Sequence, residues 1–374
     1  MNRNNVLKIL DYFDLPGELG SIAPFKVGHI NQTYVSTRKV AGKQKRFLHQ
    51  MVNRYVFKDV PAVMKNIEVV IAHIKARAAV PERETLTIVP TKNSASYLLT
   101  NEGEYWRTYS FIEDTVSYEV CKSSQDAYQA AKVMGRFLKY LSDAKISDYV
   151  ETIYRFQSVP YRFEELKQAI SDDCVARVDE VSTLIEFALA REENAALIDQ
   201  HLTSGEIPLR VTHSDPKFNN ILFDKLPGEK RSQAKSGNGL AIVDLDTVMP
   251  GNMLYDFGDL ARSVVIAAPE DETELSRIKI NLQLFKELVD GYLGEVGDIL
   301  TPKERQLMPQ ATQLIALSLG VRFLSDYLNG DVYFKVHREK HNLDRARAQF
   351  QIVKECEESI GKMEELVKGW ERAR

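Results

Sequence analysis

Cysteine is scarce in this chain. Three occur in 374 residues, Cys121, Cys174 and Cys356, odd in number, far apart and outside any metal-ligand spacing. That pattern argues against a disulfide framework and suits a reducing compartment. Long apolar runs are missing as well: none approaches the roughly 20 residues needed to cross a bilayer, and the opening MNRNNVLKILDYFDL has no signal-peptide apolar core. Neither sign of charge dominates, because 49 basic residues face 53 acidic ones with no long block of either, for a net charge of −4. Nucleic acid and membrane are therefore not expected partners, and the expected setting is the cytoplasm. No segment repeats at a fixed period. Oligomeric state stays open at this level.

What is present suffices for two lobes. At about 100 to 200 residues per domain, the length allows two, and a hydrophobic content of 44% supplies ordinary cores for them. Residues 1–112 carry the strand signals. IAPFKVG and TYVST flank a polar turn, KRFLHQMV follows, and SYLLT and EYWRTYSFI are separated by Asn101-Glu102-Gly103, a hairpin turn. One helix interrupts them, with Val63, Ile67, Val70, Ile71 and Ile74 at helical spacing. Beyond Glu113 the pattern changes to long helices: SQDAYQAAKVMGRFLKYLSDA, VARVDEVSTLIEFALAREENAALIDQHL, Glu272 to Leu293, and Arg305 onwards. Short β segments remain only at ILFD and LAIVDLD. The expected fold is α+β and protein-kinase-like, with a small β-rich lobe at 1–112, a larger helical lobe at 113–374, and Phe111-Ile112-Glu113 as the link.

The stretch VTHSDPKFNNILFD, residues 211–224, carries the chemistry. Phosphoryl transfer needs a carboxylate to orient the acceptor, oxygen ligands for magnesium on the nucleotide phosphates, and positive charge against the transferred group. In that order, Asp215 would accept the hydroxyl proton and so contact the acceptor, Lys217 would face the γ-phosphate and Asn220 would ligate the metal. His213 heads the motif as a structural residue. ILFD and LAIV can pair as an antiparallel hairpin across the polar segment between them, which brings Asn220 beside Asp244. Asp246, two residues on, points to the same side of an extended chain and could complete a second ion site.

HSDPKFNNILFD followed by IVDLDTVMPGNMLYDFGDLAR resembles the aminoglycoside phosphotransferase and choline kinase superfamily. VGHINQTYV and VRFLSDYLNGDVYF are similar to segments of the N-acetylhexosamine 1-kinases within it. The resemblance implies ATP and Mg²⁺ as cofactors and the anomeric hydroxyl of N-acetylglucosamine or N-acetylgalactosamine as acceptor. Other small alcohols (homoserine, choline, methylthioribose, an aminoglycoside) are the alternative acceptors, and a pseudokinase-like binding protein is a further alternative.

Applied residue by residue, the resemblance implies that the VGHINQTYV turn covers the phosphates, with Gly28 giving backbone freedom and His29 and Asn31 touching sugar hydroxyls. It implies that Arg322 and Tyr333 hold the sugar and that adenine lies against Phe111, Ile112 and Glu113. Asp256-Phe257-Gly258 looks like the kinase metal triplet but falls beyond the hairpin, so Asp256 is assigned to capping a helix and bracing the catalytic loop, and the metal to Asp244. The third strand departs from the kinase pattern. Where an ATP-anchoring lysine is expected it offers His49 or Gln50, with Glu68 as the helix partner.

Overall fold

The computed structural model describes residues 3–25, 30–225 and 237–373. The smaller lobe is a six-stranded antiparallel sheet in the order β1 (Glu18–Pro24), β2 (Gln32–Val40), β3 (Lys43–Met51), β6 (Tyr105–Ser110), β4 (Thr87–Val89), with β5 (Leu98–Leu99) also pairing β6. A two-residue turn joins β2 to β3, with Ala41 and Gly42 at φ 47° and 81°, values that match the right-handed twist of the flanking strands. The Asn101-Glu102-Gly103 hairpin forms as the sequence suggests, Leu98 and Leu99 pairing with Trp106 and Tyr105.

Side chains alternate across a strand, and this decides which polar residues of the sheet reach the cleft. One face carries Met51 and Trp106, packed against Val6 and Leu10 of the Arg3–Leu10 helix. The other carries Tyr109, in the core with Met64, Ile67 and Ile71 of the Val60–Lys75 helix. His49 belongs to the first face. It is fully buried and its ring nitrogens meet Ser36 Oγ at 2.8 Å and Thr108 Oγ1 at 3.0 Å. Of the two β3 candidates for a phosphate contact, His49 is therefore turned away from the cleft, and Gln50 is the one that faces it.

Burial pulls the His49 ring down to about 3, against 6.5 in an unfolded chain. Between these values the unfolded state binds the extra proton, so the stability His49 contributes is complete above pH 6.5 and is lost as pH falls towards 3. Urea unfolding at stepped pH is expected to show wild type losing up to about 1.4 kcal/mol per pH unit more than His49→Gln across this window. Parallel pH profiles for the two proteins would refute this.

The Val60–Lys75 helix is bound to the larger lobe. Asn66 donates to Val150 O at 2.8 Å and Val248 O at 2.9 Å and accepts from Val150 N at 3.0 Å. His73 and Arg77 both reach Asp143, at 2.9 and 2.7 Å.

In the larger lobe the Met308–Leu328 helix is buried on nearly every side, between the Met253–Val264, Val159–Asp172 and His341–Arg372 helices. Gly258 explains the apparent kinase triplet: a Cβ there would lie 2.4 Å from Ala311 O, so the glycine lets two helices approach. Further pieces are β7 (Thr115–Val116), β8 (Arg210–Thr212), β9 (Ile221–Asp224), β10 (Gly239–Ile242) and β11 (Met249–Gly251).

The sequence patterns miss the Arg3–Leu10 helix, strand β4, the short Pro81–Glu84 helix and the Val159–Asp172 helix with Pro160 in its first turn, and β7, β8 and β11 correct the expectation that short β segments lie only at ILFD and LAIVDLD. The long helix expected over 175–202 is broken into Ser182–Leu189, Glu192–Ala195 and Leu197–Thr203. Arg191 N–H bonds back to Ala188 O at 2.9 Å, and its guanidinium folds over Phe187 and pairs with Glu357, which fixes the bend. Among the described residues, no helix is long and apolar enough to cross a membrane.

Candidate active site

The residues before Asp215 are held in an uncommon backbone conformation. β8 pairs with β11 and delivers the chain into Ser214, whose φ is 68°. A left-handed non-glycine residue costs on the order of 1 to 3 kcal/mol and persists only where neighbours over-determine it. Here Asp256 does so. Its fully buried carboxylate accepts the N–H of His213 and of Ser214, both at 2.8 Å, while burial pushes its carboxyl up to about 7 against these bonds. The bracing contacts are thus in place, but the helix cap is Asn252, which accepts from Tyr255 N at 2.9 Å. Asp256 sits inside the first turn.

His213 ties this loop to the strand that returns from the hairpin. Its Nδ1 accepts the N–H of Asp215 at 3.3 Å, so Nε2 carries the proton and donates to Val243 O at 3.0 Å. Burial pulls the ring down to about 4 and keeps it neutral. Asp215 Oδ2 lies 3.2 Å from Lys217 Nζ, and both side chains are about a third exposed. The Asp215, Glu270 and Asp259 carboxylates raise the Lys217 pKa, so the ammonium stays charged. Asn220 donates its amide to Asp215 O at 2.9 Å, which leaves Oδ1 as an oxygen donor.

The β9–β10 hairpin forms, with Ile221 opposite Ile242 and Val243 N–H on Asn220 O at 2.9 Å. Asn220 and Asp244 thereby stand at the same end of a two-stranded ribbon. Asp244 also has a left-handed φ, 65°, and is exposed. The cleft walls, and then Asp246 and Asp215, push its carboxyl up to about 7. Carboxylates crowded in this way fit a divalent cation. Among the described residues no group of three or more His, Cys, Asp or Glu side chains forms a metal cage. One carboxylate and one amide oxygen suit magnesium, which is held by one or two protein ligands plus substrate phosphates.

Asp246 differs from expectation. Rather than opening towards an ion, it is buried, with Oδ1 2.6 Å from Arg107 Nη2 and Oδ2 accepting from Asn31 Nδ2 at 2.8 Å. Asn31 is committed at its other end as well, accepting Asn53 N–H at 2.9 Å, so it straps the first hairpin to Asp246 instead of presenting an amide to a sugar. Glu68 is solvent-exposed and bonds to neither Gln50 nor Arg107; Met64, one turn before it, is the helix residue against the Arg107 guanidinium. Arg107 was not singled out by the sequence patterns. It is 1% exposed, lies directly across from Gln50 in the sheet, and donates to Gln50 Oε1 from Nε at 3.0 Å and Nη2 at 2.8 Å. A lone arginine on the inward face of YWRTYS was the available signal.

At the link, Glu113 accepts from Arg46 N, Nε and Nη2 at 2.9, 2.9 and 2.6 Å, and the Arg46 guanidinium stacks 3.8 Å over Phe111. Thr115 caps Ile112 O at 2.7 Å. These contacts fix the backbone of the link. Gly28 and His29 lie outside the described residues.

Arg322 sits in an aromatic box of Phe156, Phe334 and Tyr333, at 5.0, 5.3 and 5.8 Å from the ring centroids. Among the described residues it has no acidic partner, and its charged neighbour is Arg162. The box adjoins the catalytic loop, since Gln157, next to Phe156, donates to Ser214 O at 3.1 Å. Asp326 shapes it. Its carboxylate accepts the N–H groups of Val332, Tyr333 and Phe334 at 3.0, 2.7 and 2.9 Å and Asn342 Nδ2 at 2.8 Å, which sets the loop carrying Tyr333.

An aminoglycoside phosphotransferase from Alicyclobacillus acidocaldarius has a similar fold, with TM-score 0.60, 11% identity, and coverage of 99% of this chain and 97% of that one. A choline kinase from Cryptosporidium parvum matches with TM-score 0.56, 15% identity and 99% coverage of both chains. A spectinomycin phosphotransferase solved with ADP and spectinomycin matches with TM-score 0.51, 12% identity, and coverage of 94% of this chain and 99% of that one. The profile of the phosphotransferase enzyme family, APH, matches residues 21–283, which include the sheet, the catalytic loop and the hairpin. The chain belongs to the phosphotransferase enzyme family.

Proposed function

We propose that this protein is an ATP-dependent kinase that phosphorylates the anomeric hydroxyl of an N-acetylhexosamine. Nucleotide lies between the lobes, with adenine against Phe111 to Glu113 and the phosphates towards Asn220 and Asp244. Magnesium held by these two residues would neutralise charge on the β- and γ-phosphates. Asp215 accepts the proton from the attacking hydroxyl, and Lys217, 3.2 Å from it, stabilises charge on the transferred group. Asp256 and His213 keep Asp215 in position through the backbone. The spectinomycin enzyme's complex with ADP supports a nucleotide in this cleft.

The acceptor reading rests on Arg322. Arg162 beside it is neutralised by Glu165 at 2.6 Å, so the unpaired positive charge on the acceptor side, among the described residues, is the Arg322 guanidinium in its aromatic box. A guanidinium there disfavours a cationic head such as choline, ethanolamine or an aminoglycoside ammonium beside it and suits a neutral polyol rich in lone pairs, with the rings stacking on a sugar face. Methylthioribose is the neutral competitor. The arrangement of Asp215, Lys217, Asn220 and Asp244 favours catalysis over binding alone.

The test is ADP release with ATP, magnesium and a panel of N-acetylglucosamine, N-acetylgalactosamine, methylthioribose, homoserine and choline. Turnover of choline with no response to either N-acetylhexosamine would defeat the acceptor reading. In the active case, Arg322→Ala is expected to lower kcat/KM for sugar about 10- to 100-fold and Tyr333→Phe about 2- to 10-fold, with the KM for ATP nearly unchanged in both.

A further inference from the structure

We propose that Arg107 is the small lobe's phosphate-binding cation, standing in from β6 for the lysine that β3 lacks. The inference rests on the kinase reading and adds to it a residue that neither motif nor strand position singles out. On the cleft face of β3 the residue is Gln50, a neutral amide, and its cross-strand partner is Arg107. Gln50 Oε1 takes two of the guanidinium's N–H groups and aims the fork. Asp246 takes a third at 2.6 Å, two residues from Asp244. Asp244 itself is close enough to add to the field on Arg107. A phosphate on a metal held by Asp244 would therefore lie within the field of this guanidinium.

The decisive detail is Nη1. An arginine offers five N–H donors, and a buried one left without an oxygen acceptor is costly. Among the described residues, Arg107 Nη1 has only the Met64 thioether, at 3.9 Å, a weak acceptor. The helix position that would balance a strand cation with a carboxylate is thus filled by a methionine, and Glu68 is outside. The guanidinium keeps unused donor capacity at Nη1 for a phosphate oxygen, and Gln50 aims the fork whether or not Asp246 is charged.

The alternative is that Arg107 only braces Asp246. The two roles separate in ADP titration calorimetry without magnesium, where metal ligation contributes nothing. Arg107→Met is expected to weaken ADP binding about 10- to 100-fold, and Arg107→Lys, which keeps the charge but not the fork, by less. Asp246→Asn, which removes the brace and leaves the cation, is expected to bind ADP as wild type or more tightly. Equal weakening in Arg107→Met and Asp246→Asn, or no weakening in Arg107→Met, would overturn the proposal. Should Arg107→Met fail to fold, the comparison of Arg107→Lys with Asp246→Asn decides in the same way. Wild-type protein that binds no ADP even with magnesium would remove the kinase reading and this inference with it, whereas normal wild-type binding with an indifferent Arg107 removes only the inference.

Discussion

Asp215→Asn is expected to fold, to bind nucleotide normally and to turn over about 10²- to 10⁴-fold more slowly. The substitution is isosteric and leaves the backbone contacts in place. Asp215 N–H still meets His213 Nδ1, and Asp215 O still accepts from Asn220. What changes is one oxygen, which becomes an amide nitrogen that cannot take a proton. Lys217 loses its nearest anion, so its ammonium becomes freer to meet phosphate, and nucleotide affinity should hold or rise. Steady-state kinetics with a separate nucleotide titration provide the check. Turnover within a few-fold of wild type would remove Asp215 from the role of base.

A second pair of substitutions separates the ligand from the brace. Asp244→Asn, chosen because asparagine tolerates the left-handed backbone at this position, is expected to cost at least about 10³-fold in turnover and to raise the magnesium requirement, with little change in unfolding midpoint. Asp256→Ala is expected to do the reverse. It orphans the buried N–H groups of His213 and Ser214, a loss of about 2 to 5 kcal/mol in stability, while its magnesium dependence stays that of wild type. Magnesium titrations of activity alongside urea unfolding read both quantities. If the Asp256 variant lost its response to magnesium and the Asp244 variant kept it, the metal would have to be reassigned.

Legibility in the sequence followed the range of the interactions. The catalytic loop could be read because its groups lie within residues 213–220, and the hairpin extended that reading to Asp244 because a β ribbon is a short-range object. The Val63, Ile67, Val70, Ile71, Ile74 stripe located a helix but left Glu68 undecided, one turn beyond the buried Met64 and at the margin of the stripe. The kinase pattern suggested a glutamate partner there, and the fold exposes it. His49 against Gln50 depended on the parity of one strand, which flips every side chain when shifted by one. Arg107 and Asn31 reach Asp246 across 139 (246 − 107) and 215 residues, along pairings that the sequence does not announce. Asp326 gathers three backbone N–H groups from a loop whose path only the fold defines.

Asn66 divides the molecule mechanically along a line that the chain order conceals. The Val60–Lys75 helix precedes the Phe111–Glu113 link and would be counted with the sheet, yet its directional bonds run to Val150 and Val248, and His73 and Arg77 add a second anchor at Asp143. Towards the sheet it offers mainly apolar surface from Met64 and Ile67. Hydrogen bonds resist displacement in every direction, while packed apolar faces can slide by a fraction of a side chain. Closure over a substrate would then be a shear of the sheet across a helix that travels with the larger lobe, instead of a hinged clamp about the link. The Arg107 to Asp246 contact spans that sliding plane, so its length would act as a gauge of how far the sheet has moved.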